Sequence, residues 1–259
     1  MIWGIGVAFF VGALSYRLHL LSLGGSLAAV ILAVPIFGFG GWMWAMPMLA
    51  FFLLSSLLSK VGGTKKEQYD QVFEKGGRRD GYQVFANGGV AGLIVVIYAL
   101  TGRLDLFPIY CAALAAAAAD TWATELGTLA KGTPRLLTTF RKVPAGTSGG
   151  VTVTGLISAA AGAMTVSLSG WVFYGSLYTV LWVAMCGVLG SVLDSVLGAT
   201  LQAQYRCDAC GKVTEKHEHC DQKTRQISGW SWMNNDWVNG LSIAGGAFFA
   251  FCTQFLSGF

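Results

Sequence analysis

The sequence predicts an all-α, polytopic transmembrane bundle of about eight spans, and three observations predict it. Of 259 residues, 54% are hydrophobic and only 12% are charged, about half the charge of an ordinary soluble domain. Mean hydropathy is +0.58. The apolar residues come in long runs: 18–59, 81–102, 143–193 and 237–259 contain no Asp, Glu, Lys or Arg. A membrane helix needs about 20 such residues. A water-soluble chain of this size cannot hide so much apolar surface. The composition therefore excludes a soluble enzyme, a disordered chain and a secreted disulfide scaffold.

The spans follow in order. Residues 2–16 form the first; they lack the basic leader and small-x-small site of a signal peptide, so they are kept as a helix. The run 18–59 is two spans, 22–38 and 42–58, joined by a turn at Gly38-Phe39-Gly40-Gly41. Residues 84–101 and 106–130 are the fourth and fifth. The run 143–193 breaks at Ser167-Leu168-Ser169-Gly170, giving spans 149–168 and 171–201. Residues 236–257 are the eighth. Alternating strands of an outer-membrane barrel are absent. The whole chain, 1–259, reads as one integral membrane domain, with a small Cys/His loop at 202–235 inserted between the last two helices.

Basic residues set the orientation. With the loops after the odd-numbered spans on one side, that side holds every Lys and Arg of the 17 except Arg103. The positive-inside rule makes these loops cytoplasmic and places both termini outside. The segments 59–83, 131–148 and 202–235 carry nearly all the polar chemistry, so an active site is expected to face the cytoplasm.

Carboxylates inside the membrane are the first functional signal. Asp120 and Glu125 lie in the fifth span and Asp194 in the seventh. Each charge at mid-bilayer costs at least about 2.5–3.5 kcal/mol, so such residues face a bundle interior or a wet cavity. Asp120 and Glu125 are separated by about 140° around the helix axis and line adjoining faces of one cavity. With the span ending at 130, Asp120 lies about 15 Å deep. Five alanines, Ala115–Ala119, precede it and invite close helix approach. No Lys or Arg lies within the spans to pair with these acids. A metal is favoured over simple interhelical bonding, and hard oxygen donors suit Mg²⁺ accompanied by phosphates.

The second signal lies between the fifth and sixth spans. Arg135, Arg141 and Lys142 precede Ala145-Gly146-Thr147-Ser148-Gly149-Gly150, after which a helix starts. Glycines let backbone N–H groups approach an anion, and Thr147 or Ser148 can cap the helix. A helix N-terminus favours negative charge. This is a phosphate site by physics, although it lacks the Walker pattern; an ordinary capped helix after a basic loop is the plainer alternative.

A third signal is a polar stripe entering the fourth span. Arg79 precedes Asp80, Gln83 and Asn87, which share one helix face. Asn234, Asn235, Asp236 and Asn239 open the eighth span similarly. Capping explains Asn234 best, whereas Asp80 and Asn235 lean toward site roles. The fourth signal is Cys207-x-x-Cys210 followed by His217, His219 and Cys220. That spacing has zinc-ligand character. A cytoplasmic disulfide is disfavoured. Cys207, Cys210, Cys220 and His219 are the expected ligands, with His217 as substitute, of a structural Zn²⁺ clip. Cys111, Cys186 and Cys252 are expected in the core.

Several long runs resemble one known family. They are Asp-Thr-Trp-Ala-Thr-Glu-Leu-Gly at 120–127, Pro-Arg-Leu-Leu-Thr-Thr-Phe-Arg-Lys-Val-Pro-Ala-Gly-Thr-Ser-Gly-Gly-Val-Thr at 134–152, and Gly-Ser-Val-Leu-Asp-Ser-Val-Leu-Gly-Ala-Thr-Leu-Gln at 190–202. The Cys/His loop and Asn-Asn-Asp-Trp-Val-Asn at 234–239 fit as well. Over about residues 76–245 the chain resembles the DUF92 / transmembrane protein 19 family, which includes plant and cyanobacterial phytyl-phosphate kinases. The resemblance implies a membrane kinase that converts a polyprenyl monophosphate to the diphosphate, using CTP or another NTP with Mg²⁺. It implies site roles for Asp120, Glu125, Arg135, Arg141, Lys142, Ser148 and Asp194. Nucleotide, prenyl phosphate and membrane lipids are the expected partners; nucleic acid is not, and an oligomer is compatible. A CTP-dependent lipid-phosphate cytidylyltransferase and a proton- or cation-coupled transporter are the alternatives. The transporter requires a wet path to the outer face, where Arg103 and Asp105 are the only charges.

Overall fold

The computed structural model describes residues 2–60, 78–129 and 132–257. Lys65, Lys66, Lys75 and Lys131 lie outside the described residues. The chain is mostly helical, and its helices are α1 (Ile2–Arg17), α2 (Leu23–Pro35), α3 (Gly41–Ser59), α4 (Gly81–Thr101), α5 (Leu106–Gly127), α6 (Val153–Ser169), α7 (Trp171–Tyr174), α8 (Leu177–Thr200) and α9 (Asn235–Ser257). Among the described residues, four segments are long and apolar enough to cross a membrane: Leu23–Ser59, Gly81–Thr101, Leu106–Gly127 and Leu177–Thr200.

The expected turn at Gly38–Gly41 is instead a π-helical segment, Ile36–Gly40, ended by Gly41 at φ +60°. The chain still reverses there. Ser22, just before α2, donates its backbone N–H to the Arg79 carbonyl (3.0 Å). At the end of α3, Ser59 donates its hydroxyl to Glu125. Arg79 and Glu125 line the same cavity, so both ends of the 23–59 segment return to one end of the bundle.

Other boundaries shift for local reasons. The α4 helix starts at Gly81 rather than 84, because Asp80 and Gln83 form a reciprocal capping box. The α5 helix ends at Gly127, three residues short of 130, which leaves Asp120 about 10 Å from that end rather than 15 Å. The seventh span does not run unbroken from 171: α7 stops at Gly175 (φ +66°), and Ser176 caps a new helix. The Cys/His loop is not irregular, and the all-α expectation omits it. It folds into strands β3 (Gln204–Arg206), β4 (Val213–Thr214), β5 (Glu218–His219), β6 (Gln222–Lys223) and β7 (Arg225–Ser228), in a β4-β3-β7 sheet and a separate β5-β6 hairpin. Between α5 and α6, β1 (Arg135–Leu136) pairs antiparallel with β2 (Gly150–Val151).

The α5 helix is the hub; α3, α4, α6, α8 and α9 all pack on it. Residues Leu106–Phe107 and Ile109–Ala119 are buried. Its neighbours approach with glycines. A Cβ on Gly190 or Gly187 would lie 2.6 Å from Ala116 or Ala115, and one on Gly162 would lie 2.8 Å from the Ala118 carbonyl. Cys111 and Cys186 are buried as expected, and Cys252 is half-buried. At the end of α5 away from the acids, Trp44, Tyr98, Phe107, Tyr110 and Tyr174 stack into an aromatic cluster. Overpacking the glycine contact is expected to cost about 1–3 kcal/mol. Gly190→Leu should therefore lower the melting temperature in detergent, while Gly6→Ala, whose Cβ meets nothing within 4 Å, should not. Equal melting of Gly190→Leu and the parent protein would contradict the packing.

Candidate functional site

A cavity of about 610 Å³ opens at the end of the bundle that carries the basic loops. Of the expected residues, Arg79, Asn87, Asp120, Glu125, Gly146, Thr147, Ser148, Gly149, Asp194, Asn235 and Asp236 line it. Asp120, on α5, and Asp194, on α8, both line it, close enough for their charges to interact. Two such carboxylates in a half-buried site need a proton or a cation between them. Ser242 of α9 donates to Asp194 Oδ2 (3.0 Å), and Ser59 of α3 donates to Glu125 Oε1 (2.5 Å). The donor set is hard oxygen throughout, which fits a small divalent cation such as Mg²⁺.

Arg79, from outside the spans, comes near Glu125. Leu21 and Arg79 form a parallel bridge, and the Arg79 carbonyl sits so close to Gly25 that a Cβ there would lie 2.4 Å away. This fixes the Arg79 backbone. Burial pulls its guanidinium below the ordinary value, and the nearby Glu125 charge partly restores it. Lys60 and His19 also line the cavity.

The glycine-rich turn is seated on the helix that carries Asp194. Gly149 adopts φ +74°, and a Cβ there would lie 2.4 Å from both Ser195 O and Ala199 N. Only glycine permits that approach. Gly146 also has positive φ. The turn does not cap α6 as expected. Thr152 does so, accepting from Gly155 N (3.0 Å), because Gly150 and Val151 are held in β2. Thr147 Oγ1 donates to Pro144 O, and Ser148 Oγ donates to Glu215. Thr152, Gly155 and Leu156 bring the start of α6 to the cavity wall.

Other expected residues lie elsewhere. Arg135, Arg141 and Lys142 sit on the exposed β1 hairpin, outside the cavity lining; Arg135 donates to Phe140 O. Asp80 is not in the lining either, and its carboxylate caps α4. Asn234 caps α9, as its position suggested. Sequence reasoning missed Ser59, Lys60, Ser191, Ser195, Gln202 and Glu215, all of which line the cavity.

The Cys/His cluster forms outside the cavity. Ligand atoms of Cys207, Cys210, His219 and Cys220 all lie within 4.8 Å of one another. His219 Nδ1 is 3.5 Å from Cys210 Sγ and 3.1 Å from Cys220 Sγ; tetrahedral zinc with bonds of about 2.0–2.3 Å asks for similar spacing. The Cys210 backbone hydrogen bond pulls the Cys207 thiol down to about 6, so its metal-binding thiolate form is accessible at neutral pH. Cys220 and Asp221, both at positive φ, form the two-residue turn between β5 and β6. His217 packs against Tyr205 instead, with ring centroids 4.5 Å apart and planes tilted by 54°, and is not in the cluster. Adding Co²⁺ to metal-stripped protein is expected to produce thiolate-to-cobalt charge-transfer absorption, which Cys210→Ser should weaken. Unchanged absorption in Cys210→Ser would remove that sulfur from the ligand set.

The helices and the acid-lined cavity define an integral membrane protein with a polar site at one end of its bundle. A family model described as "Integral membrane protein DUF92" matches residues 6–247, and the chain belongs to that family. It is 35% identical over 269 residues to "Protein PGR" of Arabidopsis thaliana, covering 94% of this chain and 92% of that one. It is 32% identical over 180 residues to an uncharacterised membrane protein of Methanocaldococcus jannaschii, covering 69% and 73%. To "Protein VTE6, chloroplastic" of Arabidopsis thaliana it is 24% identical over 263 residues, covering 97% and 64%. No solved structure matches the chain.

Proposed function

We propose that the protein is an integral membrane kinase that transfers the γ-phosphate of CTP or another NTP to a polyprenyl monophosphate, of phytyl or geranylgeranyl type, giving the diphosphate. One observation carries this reading: Asp120 and Asp194, on two helices, meet the Gly146–Gly150 turn and Arg79 in one cavity. The resemblance of the 120–127, 134–152 and 190–202 runs to prenyl-phosphate kinases points the same way. We also read eight spans with both termini outside, because the cavity opens among the basic loops that the positive-inside rule makes cytoplasmic.

The acceptor oxygen attacks the γ-phosphorus, the bond from that phosphorus to the β–γ bridging oxygen breaks, and NDP leaves. The acceptor phosphate is already ionised near neutral pH, so no strong base is required, and catalysis is positioning plus charge neutralisation. Asp120, Asp194 and Glu125 would hold Mg²⁺, whose chemistry is to neutralise charge on the transferred phosphoryl group. Arg79 and the backbone of the Gly146–Gly150 turn hold phosphate oxygens inside the cavity. Arg135, Arg141 and Lys142, on the hairpin beside it, supply positive potential to incoming nucleotide. Asn87, Asn235 and Asp236 also line the cavity. The Cys/His cluster holds a structural Zn²⁺, because four ligands leave no open position for catalysis.

The aromatic cluster around Trp44 and Tyr110 fills the far end of the bundle, which argues against a transport path. A cytidylyltransferase would use the same donors and release pyrophosphate. Purified protein incubated with labelled NTPs and prenyl monophosphates is expected to release NDP and prenyl diphosphate. Asp120→Asn and Asp194→Asn should each lower transfer by at least about 10²-fold. Full transfer in both variants would remove the metal roles, and pyrophosphate release would replace the kinase by the transferase.

A further inference from the structure

Glu215 belongs to the Cys/His loop, yet it lines the membrane cavity and is only 8% exposed. Its Oε1 accepts from Ser148 Oγ and from Gln202 Nε2, both at 2.8 Å. Gln202, itself 4% exposed, follows the end of the helix that carries Asp194. Glu215 thus ties the glycine-rich turn to that helix. Charge-assisted bonds of this kind are roughly twice as strong as neutral ones.

The position of Glu215 is set one residue earlier. Thr214, in β4, pairs with Tyr205 in β3. The turn joining the two strands is the Cys207–Cys210 knuckle, closed by Gly211 N to Cys207 O (2.8 Å) and Cys207 N to Lys212 O (3.0 Å). The metal-ligand cluster therefore sits at the tip of the hairpin, and Glu215 follows its returning strand.

We propose that Glu215 is a positioning residue, a latch that holds the Gly146–Gly150 turn over the cavity through Ser148, and that metal bound at Cys207, Cys210, His219 and Cys220 keeps the latch in place. The inference rests on the kinase reading for its purpose, but its test does not need transfer activity. Loss of zinc opens the latch by loosening the β3–β4 hairpin, so the soluble metal clip gains control of a site inside the bundle.

The experiment is hydrogen–deuterium exchange on the full-length protein in detergent, with zinc content measured before and after treatment with a zinc-selective chelator. Chelation and Glu215→Ala are each expected to accelerate amide exchange in 146–150 by about tenfold, leaving 159–163 unchanged. Applied together they should do no more than either alone, since both break one latch. Glu215→Gln keeps the Oε1 acceptor but loses the charge, and should fall between the parent rate and that of Glu215→Ala. If Glu215→Ala does not fold, Ser148→Ala breaks the same bond from the other side and is judged by the same criterion. Unchanged exchange on chelation, independent and multiplying effects, or purified protein without metal would each overturn the proposal. The latch pattern without phosphoryl transfer would sink the kinase reading alone; flat exchange with intact transfer would sink the latch alone.

Discussion

Everything in this bundle depends on how closely its backbones approach α5. Lipid tails are as apolar as leucine, so helices in a membrane gain little by burying apolar side chains against each other. Close packing and polar contacts must hold them. Ala115–Ala119 present a surface of single methyl groups, and Gly162, Gly187, Gly190 and Gly246 meet it from α6, α8 and α9. The same approach of α8 brings Asp194 into one cavity with Asp120.

The cost of sunken acids then explains the rest of the site. Glu125 and Asp194 are met by polar partners: Ser59 donates to Glu125, Ser242 donates to Asp194, and the Arg79 charge lies near Glu125. Such donors offset part of the desolvation penalty. The glycine-rich turn completes the cavity from the loop side, and it can do so only because Gly149 lies directly against the backbone of α8. The far end, by contrast, is filled by Trp44, Tyr98, Phe107 and Tyr110. The bundle is therefore polar and open at one end, packed and aromatic at the other.

The helices were legible because bilayer thickness imposes long uncharged runs, and Asp120, Glu125 and Asp194 were legible because a charge within such a run is expensive. The glycine turn stood out by composition. Arg79 was not expected to approach Glu125, since the spacing of a loop arginine does not say that a strand-like bridge to Leu21 will hold it inward. Glu215 was hidden for a similar reason: a glutamate in a polar loop is ordinary, and only the β3–β4 pairing turns it toward Ser148. Arg135, Arg141 and Lys142 show the converse. Their charge was plain in the sequence, but their place outside the cavity is fixed by a tight turn, closed by the Arg135–Lys142 bridge and by Leu136 N–H donating to the Arg141 carbonyl. The break at Ile36–Gly41 was visible as glycine enrichment, while its π-helical form depends on backbone geometry that composition does not report.

The central claim is that Asp120 and Asp194 hold a divalent cation jointly. Mn²⁺ can stand in for Mg²⁺ at oxygen sites, and its position can be read by anomalous scattering from crystals grown with it. The account expects a Mn²⁺ peak between the two carboxylates, lost in the Asp194→Asn protein. Clear density for both side chains with no ion between them, at millimolar Mn²⁺ and with nucleotide bound elsewhere, would contradict it.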